Sequence, residues 1–344
     1  MAVIRPPYDP KRTDLRQVIP LSTPFILFIE PTRLCNLKCF YCMHSTRGNS
    51  EGVLERAGIP VRHMDMDLYD KIISDIGRFP EQPKLINFSG LGEPLVNPRL
   101  PEMIHKLRKA GYTGRVDIIT NGVLLTPEKS TALLEAGVTR FRLSVQALTA
   151  ERCEEICGVA IDMDKYIANI RWLFEHKGKA EVYAKIIVAD LQNEGEIKRF
   201  YEIFDEICDY MLAERLILGQ QQTVEFRNDY GIGAEIDLYS QPYSNLKACP
   251  PVFYMFQVVS DGSVFPCGAP GLPLSFSIGN CKEHSLKELW DSDARYSLVK
   301  KMLTVGASQI PICNKCDCIN TMGYDSVDDS AEELLSRLEV MNLV

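Results

Sequence analysis

The sequence predicts an α/β fold, an open, partial (β/α)6 TIM-like barrel with a small C-terminal Cys-rich domain. Three observations carry this. Six short apolar runs between residues 24 and 218 are each followed by a helical pattern, and such alternation produces right-handed crossovers and a parallel sheet. Six units fall short of the eight that close a full barrel, and a doubly wound sheet is the alternative. Beyond residue 248 the pattern gives way to a loop-rich segment in which residues 249–318 carry six of the twelve cysteines.

The candidate strands are Pro24–Glu30, Lys84–Ser89, Arg115–Thr120, Thr139–Val145, Glu181–Val188 and Ala213–Leu218, all rich in Ile, Val, Leu or Phe. Between them the helices are punctuated. In Asp67–Phe79, Leu68, Ile72, Ile73 and Ile76 share one face, and Gly111 follows the helix that ends at Ala110. Thr126 before Pro127 is a capping hydroxyl ahead of a first-turn proline, and Gly137 closes that helix. Asp164 opens the next, with Ile167, Ile170, Leu173 and Phe174 as its buried stripe. Glu194–Tyr210 buries Ile197, Phe200, Phe204 and Ile207.

The domain plan reads as a surface lead-in at 1–22, the partial barrel at 23–219, a polar linker at 220–247, the Cys-rich domain at 248–320 and a helical tail at 321–344. With 46 acidic against 38 basic residues the chain is not a phosphate-backbone binder, so no nucleic acid is expected. No apolar run approaches the roughly 20 residues of a membrane span, and the N-terminus lacks an apolar signal region. No membrane association is therefore expected, and a cytoplasmic location is. In a reducing compartment twelve cysteines point to metal or redox chemistry rather than disulfides.

After the first strand comes Cys35-Asn-Leu-Lys-Cys39-Phe-Tyr-Cys42. Three thiolates on one loop can hold three corners of a cubane iron–sulfur cluster and leave one iron open. Structural zinc takes four ligands, and this spacing is not among its common ones. The loop resembles the signature of the radical S-adenosylmethionine (SAM) enzymes. That resemblance implies a [4Fe–4S] cluster on Cys35, Cys39 and Cys42, with SAM on the fourth iron. It also implies SAM contacts from Tyr41, beside the adenine, and from Ser89-Gly-Leu-Gly-Glu-Pro94, a glycine-glutamate turn with backbone at Gly90, Gly92 and Glu93. Polar contacts are implied at Asn121 and Ser144, and apolar contact with adenine at Leu191. Asn121 also reads as a turn residue, and Leu191 as core.

A hairpin at Asp261-Gly262 brings Cys249 towards Cys267, and Cys313 with Cys316 forms a C-x2-C half-site. From spacing alone, zinc or a second cluster fits. The segment resembles the SPASM extension in its shortened, twitch form. That implies one auxiliary [4Fe–4S] cluster on Cys249, Cys267, Cys313 and Cys316, with Cys281 or Cys318 as possible substitutes for one of them. Cys208 reads as a small hydrophobe on a helix.

What the resemblance implies is a radical SAM oxidoreductase. It would abstract hydrogen from a small sugar-like or aminocyclitol substrate, with the auxiliary cluster accepting the electron. A flavodoxin or ferredoxin would supply the low-potential electron. The short lead-in favours a small substrate over a peptide. The alternative is a peptide-modifying enzyme, with Cys153 or Cys157 as hydrogen donor for an epimerisation. A remoter one is a non-catalytic electron-transfer or sensing protein. Gly268 stands where some relatives place a carboxylate base, which leaves Asp190, Glu225 or Arg227 as candidates.

Overall fold

The computed structural model describes residues 1–8, 11–188, 191, 193–216, 239 and 241–341. Among them one ten-stranded sheet runs through the molecule. Its strands are β1 (Val3–Ile4), β2 (Ile26–Ile29), β3 (Leu85–Phe88), β4 (Arg115–Thr120), β5 (Arg140–Val145), β6 (Glu181–Ile187), β7 (Tyr210–Glu214), β8 (Met255–Val258), β9 (Ser263–Phe265) and β10 (Gly279–Asn280). The order is β1-β7-β6-β5-β4-β3-β2-β8-β9-β10, an open sheet in which β2 to β7 are all parallel.

The crossover helices are those the periodicity predicts. They include α1 (Met66–Ile76), α2 (Leu100–Lys109), α3 (Pro127–Ala136), α4 (Ala150–Cys157), α5 (Met163–His176) and α6 (Glu194–Phe204). Thr126 caps α3 by accepting from the Lys129 N–H, and Gly137 ends it at φ +104°, a left-handed conformation suited to glycine. The apolar faces of these helices pack on the outside of the sheet, where Leu27, Ile86, Val116, Phe141 and Val182 are fully buried.

Two expected elements shift. The helix predicted over Glu194–Tyr210 stops at Phe204, and the strand predicted over Ala213–Leu218 starts at Tyr210. Tyr183–Ile187 of β6 pair with Tyr210–Glu214, and Val3 and Ile4 pair with Tyr210 and Met211 from the other side. Ladder bonds from two neighbours decide between conformations that the apolar run alone leaves open. Cys208, expected on the helix, lies past its end, buried, with its thiol donating to the Phe204 carbonyl at 3.1 Å. Residues 217 and 218 lie outside the described residues.

The lead-in also contributes structure, since β1 forms an edge strand and Leu15 is buried. The Cys-rich segment joins the same sheet: β8 pairs parallel with β2 along its whole length, from Ile26↔Met255 to Ile29↔Val258. The predicted hairpin is present, with β8 antiparallel to β9 and Gly262 at φ +93° in its turn. The tail forms a helix at Ala331–Val340. Among the described residues no helix is long and apolar enough to cross a membrane.

Candidate functional site

The loops at the C-terminal ends of the barrel strands enclose a cavity of about 390 Å³. Cys35, Cys39 and Cys42 line it together with Tyr41, Gly90, Gly92, Glu93, Asn121 and Ser144. Nine of the ten residues predicted for the first cluster and SAM thus share one cavity wall. The tenth, Leu191, is not among the lining residues. It is a half-buried side chain packed on the core, because β6 ends at Ile187 and the chain turns away, Leu191 N–H donating to the Val188 carbonyl.

The thiol loop is held from outside by α4: the Lys38 and Phe40 N–H groups donate to the carbonyls of Cys157 and Ile156, each at 2.9 Å. Cys153 and Cys157 are themselves fully buried and do not line the cavity, so they support the loop rather than face a ligand. Within the loop, Leu37 N–H approaches the Cys35 sulfur at 3.4 Å, and the Cys39 thiol donates to Gln146 Oε1 at 3.3 Å. The same oxygen accepts from the Tyr41 hydroxyl at 2.5 Å.

Burial pushes the Cys35 thiol up to about 12, with Glu93 and Cys42 adding to it, and pushes Cys39 and Cys42 upward as well. Without a metal these sulfurs keep their protons. Three soft donors on one loop, all lining one cavity, suit a metal-bearing group that displaces their protons.

The glycine turn is explained by packing. A Cβ on Gly90 would stand 2.5 Å from the Glu30 side chain, and one on Gly92 would stand 2.2 Å from the Thr32 carbonyl. Gly92→Ala is therefore expected to lower the thermal midpoint of the metal-free chain, at a cost of about 1–3 kcal/mol or more. An unchanged midpoint would contradict it. Glu93 departs from expectation. Its backbone N–H donates to the Leu34 carbonyl at 2.9 Å, so it is not free for a ligand. Its buried carboxylate accepts from Thr120 Oγ1 at 2.6 Å, Asn121 N–H at 2.8 Å and Leu95 N–H at 3.0 Å. Burial nevertheless pushes that carboxyl upward.

Asn121 is likewise spent locally. Its amide donates to Asn36 Oδ1 at 2.9 Å and accepts from Val123 N–H at 3.0 Å, which ties the β4 turn to the thiol loop. The cavity is also lined by a group not predicted, Lys185, whose Nζ donates to buried Glu214 at 2.9 Å. A lysine inside an apolar strand was its signal.

Beneath the turn lies a buried charge network. Glu30, at the end of β2, accepts from Arg33 Nε at 2.7 Å, Leu91 N–H at 2.8 Å and Ser260 N–H at 3.2 Å. Arg33 Nη1 donates onward to Asp261 Oδ2 at 2.9 Å. Thiol loop, glycine turn and hairpin are thus tied to one carboxylate.

In the Cys-rich segment Cys249, Cys267, Cys313 and Cys316 lie close enough for their charges to interact. Burial, then the neighbouring thiols, push Cys249 well up, and burial pushes Cys267 up to about 12. Cys318 belongs to the same group through a hydrogen bond with Cys316 and its proximity to Cys249 and Cys267. Cys281 does not, being buried in the core near Lys71 and Asp75. Asp190, Glu225 and Arg227 lie outside the described residues.

A partial barrel with a thiol loop and a glycine turn at one mouth, and a second thiol group on its extended sheet, defines a class of iron–sulfur enzymes that act through SAM. Residues 29–204 match the model of the radical SAM superfamily, and residues 249–317 match that of the SPASM iron–sulfur cluster-binding domain. The chain belongs to the radical SAM superfamily and carries a C-terminal SPASM domain. It is an enzyme whose cofactors are [4Fe–4S] clusters and SAM.

Among its relatives is the tungsten-containing aldehyde ferredoxin oxidoreductase cofactor-modifying protein of Pyrococcus furiosus, 28% identical over 87% of this chain and 90% of that protein. The fold is shared with BtrN in complex with AdoMet and 2-DOIA, at 20% identity, TM-score 0.54 and coverage of 85% of this chain and 92% of that one. It is shared also with Streptococcus suis SuiB bound to the precursor peptide SuiA, at 15% identity, TM-score 0.55 and coverage of 89% and 72%.

Proposed function

We propose that this enzyme dehydrogenates a small polar, sugar-like or aminocyclitol molecule. The observation that carries it is Lys185, a cation that lines the same cavity as the thiols and is fixed by the buried Glu214 carboxylate. One near full-length relative is named as a cofactor-modifying protein, which supports a substrate other than a peptide.

Cys35, Cys39 and Cys42 would hold the first cluster, and Cys249, Cys267, Cys313 and Cys316 the auxiliary one. When bound, these clusters and SAM supply hydrogen-atom abstraction from carbon and an acceptor for the remaining electron. The protein's part is placement. Ser144 leaves its hydroxyl open to the cavity beside Tyr41 and Gln146. The Gly90 and Gly92 backbone forms the near wall, while Ile119 and Ile187 exclude water from the reacting carbon. Lys185 Nζ, already oriented by Glu214, donates to a substrate oxygen and holds it at a fixed height. A flavodoxin or ferredoxin is the expected electron donor.

Lys185→Met is expected to lower kcat/KM for the substrate by about 10- to 100-fold, as loss of a charged hydrogen bond does. SAM cleavage without substrate should be unaffected, which separates a substrate contact from a structural role. The reaction itself is tested by counting oxidised product per 5′-deoxyadenosine, with external reductant needed only for the first turnover. The fold shared with peptide-bound SuiB supports a second reading, modification of a peptide. Product formation on a precursor peptide, with none on small polyols, would establish that one instead.

A further inference from the structure

A second cavity, of about 310 Å³, opens at the opposite, N-terminal end of the barrel. We propose that it binds the phosphate group of a small molecule. Lys11, Arg12, Lys84, Arg115, Arg140 and Arg142 line it, with Asp325 the one acidic residue among the described lining residues, in a chain whose formal net charge is −8. Three of these charges are met among the described residues: Arg12 donates to Asp325, Arg140 is bonded to buried Asp117, and Arg115 reaches that same carboxylate at 3.7 Å. Arg142 makes no ion pair among the described residues, and its Nε is buried without a hydrogen-bond partner there.

The second, independent sign is Asn87. Its side chain is fully buried, lines the same cavity, and has neither amide nitrogen nor oxygen bonded among the described residues. An unmet buried amide costs about 1–3 kcal/mol, which a ligand that accepts from it and fills the space would remove. A guanidinium with an unmet Nε and a neutral amide, on two strands lining one cavity, suit a tetrahedral oxyanion, and the surplus of cations favours a dianion over a single carboxylate.

Tyr8 and Tyr324 form part of the cavity's lining and pack on each other with ring centroids 4.4 Å apart. The strands that line it also line the active-site cavity further along. On β3, Asn87 lines the lower space and Ser89, just past the strand's end, lines the upper. On β5 Arg142 and Ser144 stand in the same relation. Two strand residues span about 7 Å, so a molecule held below by its phosphate can present carbon above. Phe28 walls the lower cavity and lies against Gly268, beside the auxiliary thiol Cys267. That the bound molecule is the substrate rests on the function proposed above; that the cavity takes phosphate does not.

The test is calorimetric titration of the full, anaerobically reconstituted chain with inorganic phosphate, acetate and sorbitol. Saturable phosphate binding is expected, weakened about tenfold by Arg142→Met and less by Lys84→Gln, whose exposed side chain makes it safe for folding. Asn87→Leu should weaken binding while holding or raising the thermal midpoint, an outcome that a purely structural asparagine would not produce. Phosphate binding that is absent, or equal in all three variants, overturns the proposal. Acetate binding as tight as phosphate overturns the choice of phosphate. Substrate-independent SAM cleavage, measured in parallel, reports on the radical chemistry separately, so either reading can fail alone.

Discussion

Anaerobically reconstituted Cys35→Ala is expected to lose SAM cleavage down to the level of the metal-free chain while retaining the auxiliary cluster. The intact protein should bind about eight irons and the variant about four. Cys35 stands first on a loop whose three thiols face one cavity, and burial holds each of them protonated unless a metal takes the proton's place. Two thiols cannot keep a cubane whose fourth iron is already reserved for SAM. The auxiliary thiols belong to the segment that surrounds β8 and β9 and have no member on that loop. Cleavage that survives in Cys35→Ala, or iron lost from both sites together, would contradict the assignment of two separate centres.

The second large effect is structural. Glu30→Ala strands three donors at once: Arg33 Nε and the N–H groups of Leu91 and Ser260. Glu30 and Arg33 are both almost wholly buried, and removing one partner of such a pair costs about 3–5 kcal/mol because the other charge stays behind without water. Chemical denaturation of the metal-free chain should show that loss. The double variant Glu30→Leu, Arg33→Met should recover part of it, since the Arg33 charge is gone while Asp261, 22% exposed, keeps some contact with water and the Leu91 and Ser260 N–H groups stay unmet. A single variant within about 0.5 kcal/mol of the parent would mean that water already reaches the pair. A further consequence concerns assembly. Asp261, on the hairpin, is held through Arg33, so Glu30→Ala should also slow cluster incorporation at both sites.

Much of the fold was legible because its signals are local. Thr126, Pro127 and Gly137 state where one helix begins and ends, and the structure places a cap, a first-turn proline and a left-handed glycine there. The thiol spacing and the glycine turn were legible for the same reason, each lying within a few residues of chain. The end of the sixth unit was not. Tyr210–Glu214 is apolar enough to continue a helix face, and only the ladders from β6 and β1 make it a strand. Glu93 reads as a ligand-facing backbone by motif, yet its N–H is taken by Leu34, a contact that motif spacing does not express.

Lys185 and Arg142 illustrate the deeper boundary. Alternation along a strand says that Arg140, Arg142 and Ser144 share a face, but when helices cover one side of a sheet and a lumen lies on the other, both faces are buried and sequence does not say which is which. From the linear chain alone come the helices, the strands' approximate places, the thiol loop, and the family to which such a loop belongs. The folded chain decided what no local pattern could. It brought Glu30 within hydrogen-bond reach of Ser260, set a lysine in the same cavity as the thiols, and gathered a surplus of cations and an unmet amide at the barrel's far end. Those contacts join residues hundreds of positions apart, and their energies depend on burial and on neighbours that exist only after the strands have closed around one another.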